Sequence, residues 1–244
     1  MIKKYWQQVL SLGFSPTAKN LYWVFTGNAA SIILAFFSTL LIARALTQAE
    51  FGIYLALFTF ANLLSDLGEG GLGAALSSFI PRLHIEKKSA TIVTLASTVF
   101  YIELAVGLVL FVASGGTAGF LSHALFAGTP IVNIWVSIFM MLALMLFNFT
   151  VYILVAHQQF KESATISIFY GIVRLLFLFI LVLGAKLNLT WVLIAYTAAP
   201  VAGWLYAFIH TGTRFYRGKF DLQIATNLFK FSGFLTIQKL FVSL

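Results

Sequence analysis

Apolar residues fall in seven long runs along this chain, near 22–45, 50–82, 89–113, 131–156, 164–185, 190–211 and 228–244. A helix needs roughly 20 apolar residues to cross a bilayer, and the first six runs are long enough. Open sheet edges cannot face hydrocarbon, so the runs predict helices. The expected fold class is an all-α polytopic membrane protein: a six-helix transmembrane bundle over 1–211, a linker over 212–227, and the first helix of a second bundle over 228–244. The chain stops in apolar sequence, so a longer protein is expected. "FTGNAASIILAFFS" from Phe25 and "FSGFLTIQKLFVSL" from Phe231 open alike, as a second half restarting on the first would. Gly27, Ser31 and Ala35, four residues apart, suit a close helix–helix seam.

Polar residues inside these runs are patterned. In the second run Thr59, Asn62, Asp66, Glu69/Gly70, Gly73 and Ser77 recur every three or four residues, which on a helix makes one polar stripe. "SDLGEGGLGA", Ser65 to Ala74, is where the run should break, because its glycines hold a helix poorly. A carboxylate at mid-membrane costs about 2.5–3.5 kcal/mol, so Asp66 and Glu69 imply a wet cavity, a proton, a cationic partner such as Arg174, or a cap on the broken helix. The spacing Gly68, Gly70, Gly73 matches G-x-G-x-x-G, but no strand precedes it and no βαβ unit follows, which excludes a dinucleotide site. Matching stripes run through Thr94, Ser97/Thr98 and Tyr101, with Glu103 on another face; through Ser163, Ser167, Tyr170/Gly171 and Arg174; through Tyr196, Pro200 and Gly203, where proline should kink the helix; and through Ser232, Thr236, Lys239 and Ser243. Together they predict a polar interior holding both signs of charge.

Composition fits this picture: 61% of residues are hydrophobic, 9% are charged and the mean hydropathy is +0.97, whereas soluble domains are about 25% charged. There is no cysteine, and the four histidines (His84, His123, His157, His210) lack ligand-like spacing, so no metal or cofactor is expected. The N-terminus lacks the short apolar core and cleavage site of a signal peptide. The net charge of +8 sits in short loops, which argues against nucleic acid. Of the 15 cations, Lys3, Lys4, Lys19, Arg82, Lys87, Lys88, Lys161, Arg214, Arg217, Lys219 and Lys230 fall on one side of the predicted spans; Arg44 and Lys186 fall on the other. Positive residues stay inside, which predicts a cytoplasmic N-terminus and a cytoplasmic linker. Arg174 and Lys239 lie within spans, about eleven residues or roughly 16 Å from the cytoplasmic starts.

The stretch "ARALTQAEFGIYLALFTFANLLSDLGEGGLGAALSSFIPR", Ala43 to Arg82, resembles the first-to-second helix segment of polysaccharide (O-antigen-type) flippases of the multidrug/oligosaccharidyl-lipid/polysaccharide exporter superfamily. The residues that carry the likeness are Ala43-Arg44-Ala45-Leu46, Glu50-Phe51-Gly52-Ile53-Tyr54 and Asp66-Leu67-Gly68. The resemblance implies two six-helix bundles related by pseudo-symmetry, of which this chain would hold the first. It implies a bacterial cytoplasmic-membrane protein that flips a polyprenyl-pyrophosphate-linked oligosaccharide to the outer leaflet, with membrane lipid and other polysaccharide-assembly membrane proteins as partners. Such cargo needs cations for phosphate, for which Arg174 and Lys239 are candidates, and aromatic hydroxyls for sugars, for which Tyr101, Tyr170 and Tyr196 are candidates. Asp66, Glu69 and Glu103 are candidates for a coupling H⁺ or Na⁺. A drug/cation antiporter of the same superfamily would favour a negative cavity. A half-length membrane partner is a further alternative. An enzyme would need a large extracytoplasmic loop, and the longest, near Ser114–Pro130, is short and rich in glycine and alanine.

Overall fold

The computed structural model describes residues 16–126, 128–184, 187–212 and 215–228. Lys239 and the predicted helix over 228–244 therefore lie outside the described residues, apart from Leu228. Eight helices are named here: α1 (Pro16–Ala45), α2 (Gln48–Glu69), α3 (Leu72–Ile85), α4 (Ser89–Gly116), α5 (Ala118–Ala124), α6 (Ile131–Ala156), α7 (Phe160–Leu183) and α8 (Leu189–Thr211). Residues 222–228 add a short helical segment. Six of the helices, α1, α2, α4, α6, α7 and α8, are long and apolar enough to cross a membrane. With no strand among the described residues, the chain is an all-α polytopic membrane protein.

Local chemistry explains the helix boundaries. Thr47 opens α2 with a capping box: its hydroxyl accepts the Glu50 N–H at 3.3 Å, and its own N–H donates to Glu50 Oε2 at 3.0 Å. That start precedes the apolar run, because polar capping residues are invisible to hydropathy. The run over 50–82 is two helices. Gly70 (φ 53°) and Gly71 (φ 75°) are both left-handed, a conformation that costs other residues roughly 1–2 kcal/mol each. Gly70 ends α2 by donating to the Asp66 carbonyl. Pro200 lies inside α8, which is helical on both sides of it; its missing N–H deprives the Tyr196 carbonyl of its usual i+4 donor.

The bundle is built around α6. In its most apolar window 61% of residues are buried, against 17% for α1 and 22% for α7. Consequently α6 is the core element, while α1 and α7 lie at the outside. Those two pack on each other through small residues. A Cβ placed on Gly27 would lie 2.8 Å from the Ala164 Cβ, and one on Gly171 would lie 2.8 Å from Leu34 Cδ1. Close backbone approach of this kind is what holds helices together where lipid offers no hydrophobic drive.

The linker is not a free loop. Residues 215–221 fold back against α4, α6 and α8: the Tyr216 ring packs on Phe100, Phe149 and Phe208 at centroid distances of 5.1, 5.6 and 5.2 Å.

Candidate functional site

Two polar clusters lie within the bundle. The first surrounds Arg174. Starting at Phe160, α7 places Arg174 at 174 − 160 = 14 residues from its first residue, roughly 21 Å along a helix. The side chain is 6% exposed. Nη1 donates to the Tyr170 hydroxyl at 3.2 Å, and the guanidinium carbon lies 5.1 Å from the ring centroids of both Tyr170 and Tyr196. Tyr196 is supported in turn by Tyr54 and Phe58 of α2, each 5.3 Å away edge to face. Helices α2, α7 and α8 thus converge on one cation.

No carboxylate among the described residues lies within 4.0 Å of Arg174, so an ion pair with Asp66 is absent. Its Nε meets no acceptor among the described residues. Desolvated cation–π contacts are worth about 2 kcal/mol, while a stranded buried donor costs about 1–3 kcal/mol. The aromatic rings hold the charge in place without satisfying it, and an anion would.

The second cluster is acidic. Glu69, 3% exposed, follows α2 into the glycine break. Its Oε1 accepts the Gly73 N–H at 3.2 Å, and its Oε2 accepts the Tyr152 hydroxyl at 3.2 Å. Gly71, the N-cap of α3, has no side chain with which to bond the first turn; Glu69 supplies that acceptor from two residues upstream. The capping role is therefore real for Glu69. Glu103, 4% exposed, reaches from α4 into a cavity of about 90 Å³ lined by Phe100, Leu142, Met145 and Phe149. Of the three carboxyl groups, Glu69 touches Tyr152, Glu103 is buried on α4, and Asp66 is exposed on α2. They do not form a metal site: among the described residues no group of three or more acidic or histidine side chains is arranged to hold a metal ion.

The structure revises how the sequence-derived candidates are arranged. The polar stripe of the second run is not one continuous face. Thr59 and Asp66 are exposed, Asn62 bonds its own Phe58 carbonyl at 2.8 Å, and the buried face of α2 is Tyr54, Leu57, Ala61, Ser65 and Gly68. The left-handed glycines reset the rotation, so spacing counted across them does not carry over to α3. Tyr170 and Tyr196 join Arg174, as grouped from sequence. Tyr101 does not: it is 36% exposed and its hydroxyl donates to the Tyr216 carbonyl at 3.4 Å. From sequence, Tyr54 stood out only as part of the family-like stretch, with no place at this site, and Tyr152 did not stand out at all. Each is one aromatic among many, and nothing in helical spacing distinguishes an inward tyrosine from a Phe or Leu.

A family model described as "Polysaccharide biosynthesis protein" matches residues 17–244. Among solved structures, the chain is similar to a MOP superfamily transporter from Pyrococcus furiosus, with a TM-score of 0.73 at 12% sequence identity. The match covers 90% of this chain and 51% of that one, so this chain spans about half the length of that transporter. At that identity the likeness establishes a shared fold. No curated protein matches the chain.

Proposed function

The chain belongs to the polysaccharide biosynthesis protein family, and from that premise we propose that it moves a polyprenyl-pyrophosphate-linked oligosaccharide from the inner to the outer leaflet of a bacterial cytoplasmic membrane. The observation that carries this reading is Arg174: a buried guanidinium, ringed by tyrosines, with an unpaired Nε and no carboxylate partner among the described residues. A guanidinium grips phosphate oxygens through two parallel N–H donors. Pyrophosphate is therefore the cargo group that suits it, and the hydroxyls of Tyr170 and Tyr196 suit the adjoining sugar.

Lys239 is our candidate for a second cation on the same pyrophosphate, placed at matching depth by sequence count. Asp66, Glu69 and Glu103 are where we place a coupling H⁺ or Na⁺, since two of these carboxyl groups, Glu69 and Glu103, are buried in the bundle. The cation distribution supports a cytoplasmic N-terminus. The same acidic cluster favours a second reading, antiport of a cationic drug, in which the carboxyl groups bind cargo.

The deciding experiment uses a full-length protein reconstituted in lipid. Under the flippase reading, Arg174→Gln lowers affinity for polyprenyl-pyrophosphate glycan by one to two orders of magnitude, as expected for a lost charge-assisted bidentate contact of about 1.5–3 kcal/mol. Arg174→Lys restores part of it. Normal glycan binding by Arg174→Gln, with cationic-drug efflux lost in Glu103→Gln, would replace this reading with the second.

A further inference from the structure

The hydroxyl stripe of α4 has a use that cargo binding does not explain. Ser97 Oγ donates to the Lys219 carbonyl at 3.2 Å, the Asp221 N–H donates to Thr98 Oγ1 at 3.1 Å, and the Tyr101 hydroxyl reaches the Tyr216 carbonyl. On the opposite wall the Tyr216 hydroxyl bonds Thr150 Oγ1 of α6 at 2.8 Å. These are the partners that non-helical backbone requires where it is packed among helices, because its polar groups must be satisfied by protein there. Ser97 lies eight residues into α4 and Thr150 six residues before the end of α6, so residues 216–221 reach roughly 9–12 Å inside the bundle. The fit is tight at Gly218, where a Cβ would collide with Ser97 Oγ.

Phe100 and Phe149 form both the seat of the Tyr216 ring and the wall of the cavity that holds Glu103. Tyr216 thus packs against the wall of the Glu103 cavity at the end where α4 begins and α6 ends. The attachment consists of side-chain hydroxyls on loop backbone plus the rings of Tyr216 and of Phe215, which packs on His157 at 4.8 Å, with no helical or strand pairing, and the charged Arg217 and Lys219 remain exposed beside it.

We propose that residues 215–221 are a gate at the cytoplasmic end of the bundle, with Tyr216 as its plug, and that the strap leaves its seat before an anionic headgroup can pass. This rests on the transport reading and the N-in orientation. The conformation described is the one closed at that end. Arg217 and Lys219 would be the first charges that a lipid-linked pyrophosphate meets, so cargo and strap are drawn together as the plug withdraws.

Two measurements on a full-length protein separate the gate from the transport reading. The first needs no cargo. Leu146→Cys, lining the Glu103 cavity whose wall seats Tyr216, is exposed in inverted vesicles to a membrane-impermeant maleimide. Labelling should rise about fivefold on adding Tyr216→Phe, the factor carried by one net hydrogen bond, and further with Tyr216→Ala. Unchanged labelling in both overturns the gate, whatever the protein transports. The second locks the strap with Ser97→Cys and Gly218→Cys, whose Cβ atoms would start 2.9 Å apart and reach the ~3.8 Å of a disulfide after a small outward shift. Export should stop on oxidation and return on reduction. A disulfide that forms while export continues overturns the proposal, as does failure of the pair to cross-link.

Discussion

Glu69 was a candidate for ion coupling from sequence, and the structure gives it a second task that can be measured separately. Glu69→Ala removes the acceptor for the Gly73 N–H and the bond that the Tyr152 hydroxyl makes to Oε2 at 3.2 Å. A lost cap costs about 1 kcal/mol, and a lost hydrogen bond about 0.5–1.5 kcal/mol. Together they predict a loss of about 2 kcal/mol for Glu69→Ala. Glu69→Gln keeps an oxygen for Gly73 and an amide that can donate to the tyrosine, so it should lose less than about 1 kcal/mol. Tyr152→Phe removes the second bond from the other side, and in a double-mutant cycle it should couple to Glu69→Ala by about 1 kcal/mol. The assay is reversible denaturation in detergent, followed by helicity. If Glu69→Ala unfolds at the parent midpoint, the capping argument is wrong. If Glu69→Gln is stable but exports nothing, the carboxyl group has the coupling role as well.

Three further outcomes are expected. Gly27→Val should push α1 off α7 and destabilise the bundle by about 1–3 kcal/mol through overpacking, since its Cβ would sit 3.1 Å from the Ala164 Cα; an unchanged denaturation midpoint would show that the seam yields. For topology, cysteines at Ser89 and Arg217 should resist an impermeant thiol reagent in intact cells while one at Asn188 reacts, and the reverse labelling would invert the orientation. Glu86 lies in the α3–α4 turn, where hydrogen bonds from Lys88 and Arg82 hold its carboxyl below the usual carboxylate range. A depressed value adds stability that is present at neutral pH and lost as acidity rises through it. Protection of amides in the turn, taken relative to the intrinsic exchange rate at each pH, should therefore fall on acidification in the parent and not in Glu86→Gln.

Hydropathy made the helices legible, because a membrane-crossing element must be apolar over its length and nothing in lipid overrides that. Residues such as Ser65 to Ala74 also announced a break, since successive glycines in an apolar run serve little else. Facing was harder to read. Spacing counted from Thr59 to Ser77 assumes one helix, and two left-handed residues in the middle removed that assumption. Arg174 was visible because a cation inside a span is costly wherever it points. Its partners Tyr170 and Tyr196 lay on the polar stripes of α7 and α8, whereas Tyr54, which packs on Tyr196, comes from α2, and that packing leaves no periodic mark. The stripe Thr94, Ser97, Thr98 was seen, yet the partner of Ser97 and Thr98 is the backbone of Lys219 and Asp221, and a carbonyl or N–H has no residue identity to read.

Arg174 also has a consequence for how the chain reaches the membrane. A growing chain threads its segments into lipid before the bundle exists, so α7 meets hydrocarbon when Tyr196 of α8 is not yet in place to cradle the guanidinium. An arginine at helix centre costs about 2.5–3.5 kcal/mol at that moment. Leu175, Leu176, Phe177, Leu178, Phe179 and Ile180 follow it directly, and α7 contains the most hydropathic stretch of the six long helices. That excess offsets the arginine during biogenesis, within the same segment. Polar substitutions in this run would therefore appear first as failed insertion, with the protein missing from the membrane, before any loss of cargo binding could be seen.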